Sequence, residues 1–156
     1  MKLLCDHMLG SLAKWLRIYG FDTFYPDSAT SDDDLLRIAH TDQRLLITRD
    51  KVLIARGKKQ GLEVIDLRTT DLNEQLRQVL LRIPPSSQDL LTRCIVCNTI
   101  LTPVKKTSVK EHVPPKVFAT KDEFWYCAAC KKYYWMGTHY ENMLQKIQQL
   151  SEKNNG

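Results

Sequence analysis

Two Cys-x-x-Cys pairs, Cys94-Ile95-Val96-Cys97 and Cys127-Ala128-Ala129-Cys130, limit what this chain can fold into more than any other feature. A two-residue spacer lets two thiolates leave one tight turn toward the same ion, and tetrahedral zinc is satisfied by four such soft donors. Cys94, Cys97, Cys127 and Cys130 are therefore expected to hold one Zn²⁺. Four protein thiolates leave the ion no open position, so its role is structural. In small modules zinc binding releases on the order of 10 kcal/mol or more, enough to supply most of the folding energy of a ribbon. The 29 residues between the pairs exceed the commonest ribbon spacing and predict a hairpin with an inserted loop that includes Val113-Pro114-Pro115. The competing reading, free thiols or a redox pair, needs only one such motif beside a thioredoxin-like βαβ pattern, and that pattern is missing. Cys5 lies apart in a predicted strand and reads as a small core residue.

Charge divides the 156 residues unevenly. Residues 1–90 carry 13 Lys and Arg against 13 Asp and Glu, whereas residues 91–156 carry 10 against 5, so the formal charge of +5 resides in the C-terminal part. A basic surface there suits contact with nucleic acid through phosphate neutralisation; a merely solvated lysine-rich surface is the plainer alternative. The chain has no window of about 18 apolar residues and begins Met-Lys-Leu-Leu-Cys-Asp, with an acid too early for a secretory signal, so no membrane contact and a cytoplasmic location are expected.

Before the cysteines, short apolar runs alternate with amphipathic stretches, the pattern of βα units around a parallel sheet. Lys2–Cys5 reads as a strand, and Leu9, Leu12, Ala13, Leu16 and Tyr19 recur at helical spacing with Gly20 just past the helix end. A strand over 21–25, a helix opened by Ser31 and running to about His40, and a strand at Leu45–Thr48 follow. A helix from about Lys51, a strand at 62–65 and a helix with Leu72, Leu76, Val79, Leu80 and Ile83 on one face complete the unit. Pro84-Pro85-Ser86-Ser87 cannot continue a helix and sets a boundary. The expected organisation is an α/β unit over 1–84, a zinc ribbon over 90–139 and a C-terminal helix over 140–151 packing back on the body through Met143, Leu144, Ile147 and Leu150. Residues 151–156 are expected to fray.

Asp6 directly follows the first strand, and Asp50 follows the strand Leu45–Thr48. In a parallel sheet both reach the carboxyl-terminal edge, where α/β proteins bind ligands. Asp32, opening a helix, can reach the same edge. Three converging carboxylates repel one another unless a hard cation such as Mg²⁺ or Mn²⁺ joins them. Taken singly, each acid is equally a helix N-cap. Asp33 and Asp34 read as solvated helix-face charges, with either able to replace Asp32.

Asp6-His7-Met8-Leu9-Gly10 with Leu12-Ala13-Lys14-Trp15-Leu16-Arg17, the acids after Ser31, Leu46-Ile47-Thr48-Arg49-Asp50, Arg93-Cys94-Ile95-Val96-Cys97-Asn98 and Tyr134-Trp135-Met136-Gly137-Thr138-His139 together resemble the Mut-seven C-terminal RNase domain family. The resemblance implies a PIN-like parallel sheet with a zinc ribbon, hydrolysing RNA phosphodiesters with Mg²⁺ or Mn²⁺. It maps the acids of a PIN site onto Asp6, Asp32 and Asp50, with Asp66 the candidate for a fourth. His139 matches the family motif without an assigned role, and His7 is given none in catalysis.

The expected activity is that of a metal-dependent endoribonuclease, with Arg17 and Arg49 as candidate phosphate clamps and single-stranded RNA as substrate. Trp125, Tyr126, Tyr133, Tyr134 and Trp135 suit base stacking or, more simply, the core of the ribbon. The principal alternative is a non-catalytic RNA-binding or ribosome-associated adaptor. A third is the nuclease half of a toxin–antitoxin pair, with an antitoxin-like protein as partner.

Overall fold

Apolar side chains alternate between the two faces of three of the four N-terminal strands, and that alternation builds two separate cores. The computed structural model of the protein describes the backbone of residues 1–153 and the side chains of residues 1–149. Strands β1 (Lys2–Cys5), β2 (Asp22–Phe24), β3 (Leu45–Thr48) and β4 (Val64–Asp66) form one parallel sheet in the order β2-β1-β3-β4. Leu3, Cys5, Leu45, Ile47 and Ile65 face helices α1 (Gly10–Ile18) and α4 (Leu72–Arg82), while Leu4, Leu46 and Val64 face α2 (Asp32–Thr41) and α3 (Lys51–Lys59). Strands buried on both faces explain their continuous apolar runs. Cys5 is fully buried in the first core, and its thiol is pushed up by burial and then by the Asp6 charge, which leaves it protonated and inert.

Local chemistry sets the helix ends. The Ser31 hydroxyl accepts from the Asp34 N–H while the Asp34 carboxylate accepts from the Ser31 N–H, a reciprocal capping box. Asp34 thus has a structural task beyond solvation, and Asp33 pairs with Arg56 of α3. Gly20 adopts φ +95°, and a Cβ there would lie 2.2 Å from the Asp89 carbonyl oxygen, so only glycine lets the segment after α4 close against the end of α1. The Leu91 N–H then bonds the Ile18 carbonyl.

The second sheet is antiparallel, β5 (Thr102–Val104), β6 (Phe124–Cys127) and β7 (Lys132–Tyr134) in that order. The loop between β5 and β6 contains α5 (Pro115–Thr120), and its Val109 and Val113 pack on Phe124, which makes the inserted loop a small core of its own. Helix α6 (Thr138–Lys153) packs on α4, with Ile147 buried in the first core beside Val79 and Leu80. Its backbone continues past the expected end at 151, and the fraying expected for 154–156 lies outside the described residues. Strand β4 is shifted from the expected 62–65: it starts at Val64 because Gly61 (φ +80°) and Leu62 still belong to the turn closing α3, and it ends on Asp66, which pairs with Thr48. Among the described residues no helix is long and apolar enough to cross a membrane.

Candidate metal centre and active site

The four cysteine sulfurs lie within 4.8 Å of one another. Cys94 Sγ is 3.9 Å from Cys130 Sγ and Cys97 Sγ is 3.5 Å from Cys127 Sγ. A zinc ion with bonds of about 2.3 Å to four tetrahedral sulfurs sets the sulfurs about 3.8 Å apart, so this donor set fits zinc. The first knuckle closes through a bond from the Asn98 N–H to the Cys94 carbonyl, with Asn98 at φ +70°, a conformation asparagine tolerates better than most residues. The second is the hairpin between β6 and β7, where Lys131 takes φ +55°. Polar atoms surround the sulfurs: Tyr134 Oη lies 2.9 Å from Cys94 Sγ, Thr99 Oγ1 3.1 Å from Cys97 Sγ, and the Cys130 N–H donates to Cys127 Sγ.

Crowding divides the thiols by charge. Burial pushes Cys97 up, but bonds with the Thr99 side chain and backbone and with the Cys130 and Cys127 sulfurs outweigh it and bring the thiol down to about 6. Its contact with Cys97, followed by burial, pushes Cys130 up to about 12. Adjacent sulfurs cannot all ionise unless a cation replaces their protons, which is what a divalent metal does.

The first knuckle is tied to the parallel sheet by buried polar groups. Arg17, 7% exposed, donates from Nε to the Thr23 carbonyl and from Nη1 to the carbonyls of Ile95 and Val96, the two residues inside the Cys94–Cys97 turn. Asn98 accepts from the Thr23 N–H and donates to Asp22, which also pairs with Arg44. Burial raises the Asp22 pKa, but these bonds and the charges of Arg44 and Arg93 more than offset it and hold the carboxyl below its ordinary value. The phosphate-clamping role expected for Arg17 is therefore corrected. Its guanidinium is turned inward onto three carbonyls, where it joins the Cys94–Cys97 knuckle to α1 and β2.

Acids gather differently at the carboxyl-terminal edge of the sheet. Asp6 leaves β1 and is 5% exposed; one carboxylate oxygen accepts from the Met8 N–H and the other from the Thr48 hydroxyl. Thr48, fully buried at the end of β3, accepts in turn from the Asp50 N–H. Asp50 is exposed and caps α3, with Oδ1 accepting from the N–H groups of Val52 and Leu53 while Oδ2 has no partner among the described residues. Asp6 and Asp50 are thus linked through one hydroxyl at the point where the strand order turns from β1–β2 to β3–β4, the switch point where open α/β sheets bind ligands.

Asp32 is the exposed first residue of α2. Asp66 ends β4 in register with Thr48, half-buried and 4.0 Å from Arg68. Among the described residues these acids do not form a set of three with oxygens within 4.8 Å of one another, as the sulfurs do. Arg49 lies half-buried between Thr48 and Asp50.

Of the remaining expected residues, Tyr134 and Trp125 pack on the cysteine side of the ribbon and Trp135 on the Phe124 side, which fits a core role. Tyr126 and Tyr133 pair across β6 and β7 with ring centroids 4.8 Å apart, and His112 stacks on Tyr133 at 4.9 Å. His139 sets its ring edge-on to Trp15, joining α6 to α1. His7 bonds the Asp27 carbonyl. Thr48, Asn98 and Tyr134 gain roles that the residue pattern did not assign. A threonine ending an apolar strand before an acid, and an asparagine directly after a knuckle, were the signals available for the first two.

A parallel α/β layer with acids at its switch point, carrying a four-cysteine ribbon, defines the class: an acidic-site α/β protein with a module able to hold a metal ion. The Mut7-C RNAse domain family model matches residues 1–147, and the chain belongs to that family. Neither the curated proteins nor the solved structures contain a match to it. Membership supports a nuclease, RNA-related role at the level of the family.

Proposed function

We propose that the protein is a PIN-like endoribonuclease that cleaves single-stranded RNA at the carboxyl-terminal edge of its parallel sheet, with Asp6, Asp32 and Asp50 holding Mg²⁺ or Mn²⁺. The observation carrying this reading is the Asp6–Thr48–Asp50 linkage at the strand-order switch, in a chain of an RNase domain family. The donors fit such a cation in chemistry, being hard carboxylate oxygens, one of which, Asp50 Oδ2, is free to bind. Oxygens too dispersed to enclose an ion suit a cation that keeps several of its waters, as Mg²⁺ does. When bound, it would supply Lewis acidity toward the phosphodiester and favour ionisation of water.

The chain's own residues do the positioning. The Thr48 hydroxyl fixes the Asp6 carboxylate, and the cap bonds of α3 fix Asp50 with one oxygen outward. Asp66 is the fourth acid of the proposal. Residues 1–84 carry the reaction, and the basic ribbon over 90–139, held in shape by zinc, grips the RNA strand. Incubating the protein with single-stranded RNA tests this, with Mg²⁺ or Mn²⁺ and in buffer freed of divalent ions. Internal cleavage that requires the added ion is the expected result. Binding of RNA without cleavage under any ion would favour the adaptor role, for which the half-exposed stack of His112, Tyr133 and Tyr126 offers a base-stacking surface.

A further inference from the structure

Arg49 is the one half-buried arginine among the described residues whose guanidinium finds no acceptor. Its Nε is sealed from solvent without a hydrogen bond; the Arg44 Nε is sealed in the same way, but Arg44 reaches Asp22 and two carbonyls through Nη1, and Arg17, Arg56, Arg77 and Arg93 each reach a carbonyl or a carboxylate. The rest of the Arg49 guanidinium also has no acceptor among the described residues and lines a groove beside Asp50, where it is available to an anion that the protein itself does not supply.

The surroundings identify that anion. Arg49 forms one wall of an open groove of about 710 Å³, and Lys51, Lys58 and Arg68 also line it. Lys51 and Lys58 are exposed and seven residues apart on α3, about two turns, so they project from one helix face. Arg68 is 91% exposed. Among the described residues lining the groove, Asp66 is the one carboxylate, so four cations face one acid. The groove begins at the residue preceding Asp50, and Arg49 also lines a second groove of about 410 Å³ running past Met8, Ser11 and Gln75.

We infer that this groove is a phosphate subsite, in which Arg49, Lys51, Lys58 and Arg68 hold a phosphate of the nucleic-acid strand next to the acidic edge. The identity of the strand as RNA rests on the proposed function; the phosphate chemistry does not. A guanidinium between an acidic centre and a cationic groove positions a strand: the acids repel phosphate, and the groove offsets that repulsion one step along the backbone.

The test is binding rather than cleavage, so its failure is separable from failure of the nuclease reading. A fluorescein-labelled 12-nucleotide single-stranded RNA, with a 5′-phosphate or a 5′-hydroxyl, is titrated with the full chain carrying Asp50→Asn, in Mg²⁺, over a series of salt concentrations. Lys58→Ala and Arg68→Ala, both at exposed positions, are added to that background. Each is expected to lower the slope of log affinity against log salt by about 0.7, the contribution of one single-strand phosphate contact. Over the decade from 1 M to 0.1 M salt that slope amounts to about fivefold weaker binding at 0.1 M. Lys2→Ala, at the opposite edge of the sheet, should change neither quantity. Equal losses for both RNAs place an internal phosphodiester in the groove; a loss confined to the 5′-phosphorylated RNA places the terminal phosphate there. Slopes unchanged by both Lys58→Ala and Arg68→Ala overturn the inference, whether or not the wild type cleaves RNA.

Discussion

The cysteine cluster and the acidic edge both assemble donors from distant parts of the chain, yet one is closed and the other open. The sulfurs sit at distances that suit a tetrahedral ion, on turns whose backbone bonds and asparagine hinge leave them little freedom, and a buried arginine locks one of those turns to the sheet. The acids are spread along a sheet edge and share their oxygens with helix caps and a threonine hydroxyl. A soft, four-coordinate ion needs its complete donor set supplied by protein, whereas a hard ion can keep water in its shell. The comparison teaches that the ribbon supplies a complete donor set for its ion from protein alone, while the proposed reaction site is left to be completed by a cation with its waters and by a strand.

Substitutions at three positions probe that contrast, from the greatest effect downward. Cys127→Ser should reduce bound zinc from one molar equivalent to near zero and unfold the ribbon, because binding of that ion supplies on the order of 10 kcal/mol. A full equivalent retained in metal analysis would break the four-sulfur assignment. Arg17→Ala should destabilise the protein by about 3 kcal/mol, since three carbonyls lose a charged donor. For a chain of this size that lowers the midpoint of thermal unfolding by roughly 6 to 12 °C. Arg17→Lys should recover little, because one ammonium cannot reproduce a planar fork bonded to both sides of the junction. An unchanged melting temperature would mean that the knuckle stays docked without it.

Thr48→Val keeps the shape of the side chain and removes the hydroxyl between Asp6 and Asp50. The cost in stability should be about 1 to 2 kcal/mol, and RNA cleavage should fall by about 10- to 100-fold, as for other groups that orient a metal ligand. Wild-type cleavage in this variant would show that the acidic edge does not depend on the linkage.

Much of this arrangement is legible in the residues themselves. The apolar runs at Lys2–Cys5 and Leu45–Thr48 coincide with β1 and β3 because Leu3–Cys5 and Leu45–Ile47 are continuous apolar stretches buried on both faces, each bounded by a polar residue. Strand β4 was displaced because an apolar run does not reveal that Leu62 still bonds the Gly57 carbonyl, nor that the charged Asp66 joins the ladder. The cysteines announce their ion by spacing alone. Arg17 misleads because an arginine in an amphipathic helix reads as solvent-facing; its placement one turn after the buried Ala13 was the contrary signal. What no pattern conveys is that two of the three acceptors of Arg17 lie nearly 80 residues away, inside the knuckle.

The nuclease proposal turns on Asp50, whose free oxygen faces outward while its other oxygen caps α3. The most direct measurement compares Mn²⁺-dependent cleavage of single-stranded RNA by the wild type and by Asp50→Asn, with zinc content confirmed at one equivalent in both. The account predicts a loss exceeding the about 100-fold typical of supporting residues, with the fold and the zinc intact. Equal cleavage by the two proteins would contradict it.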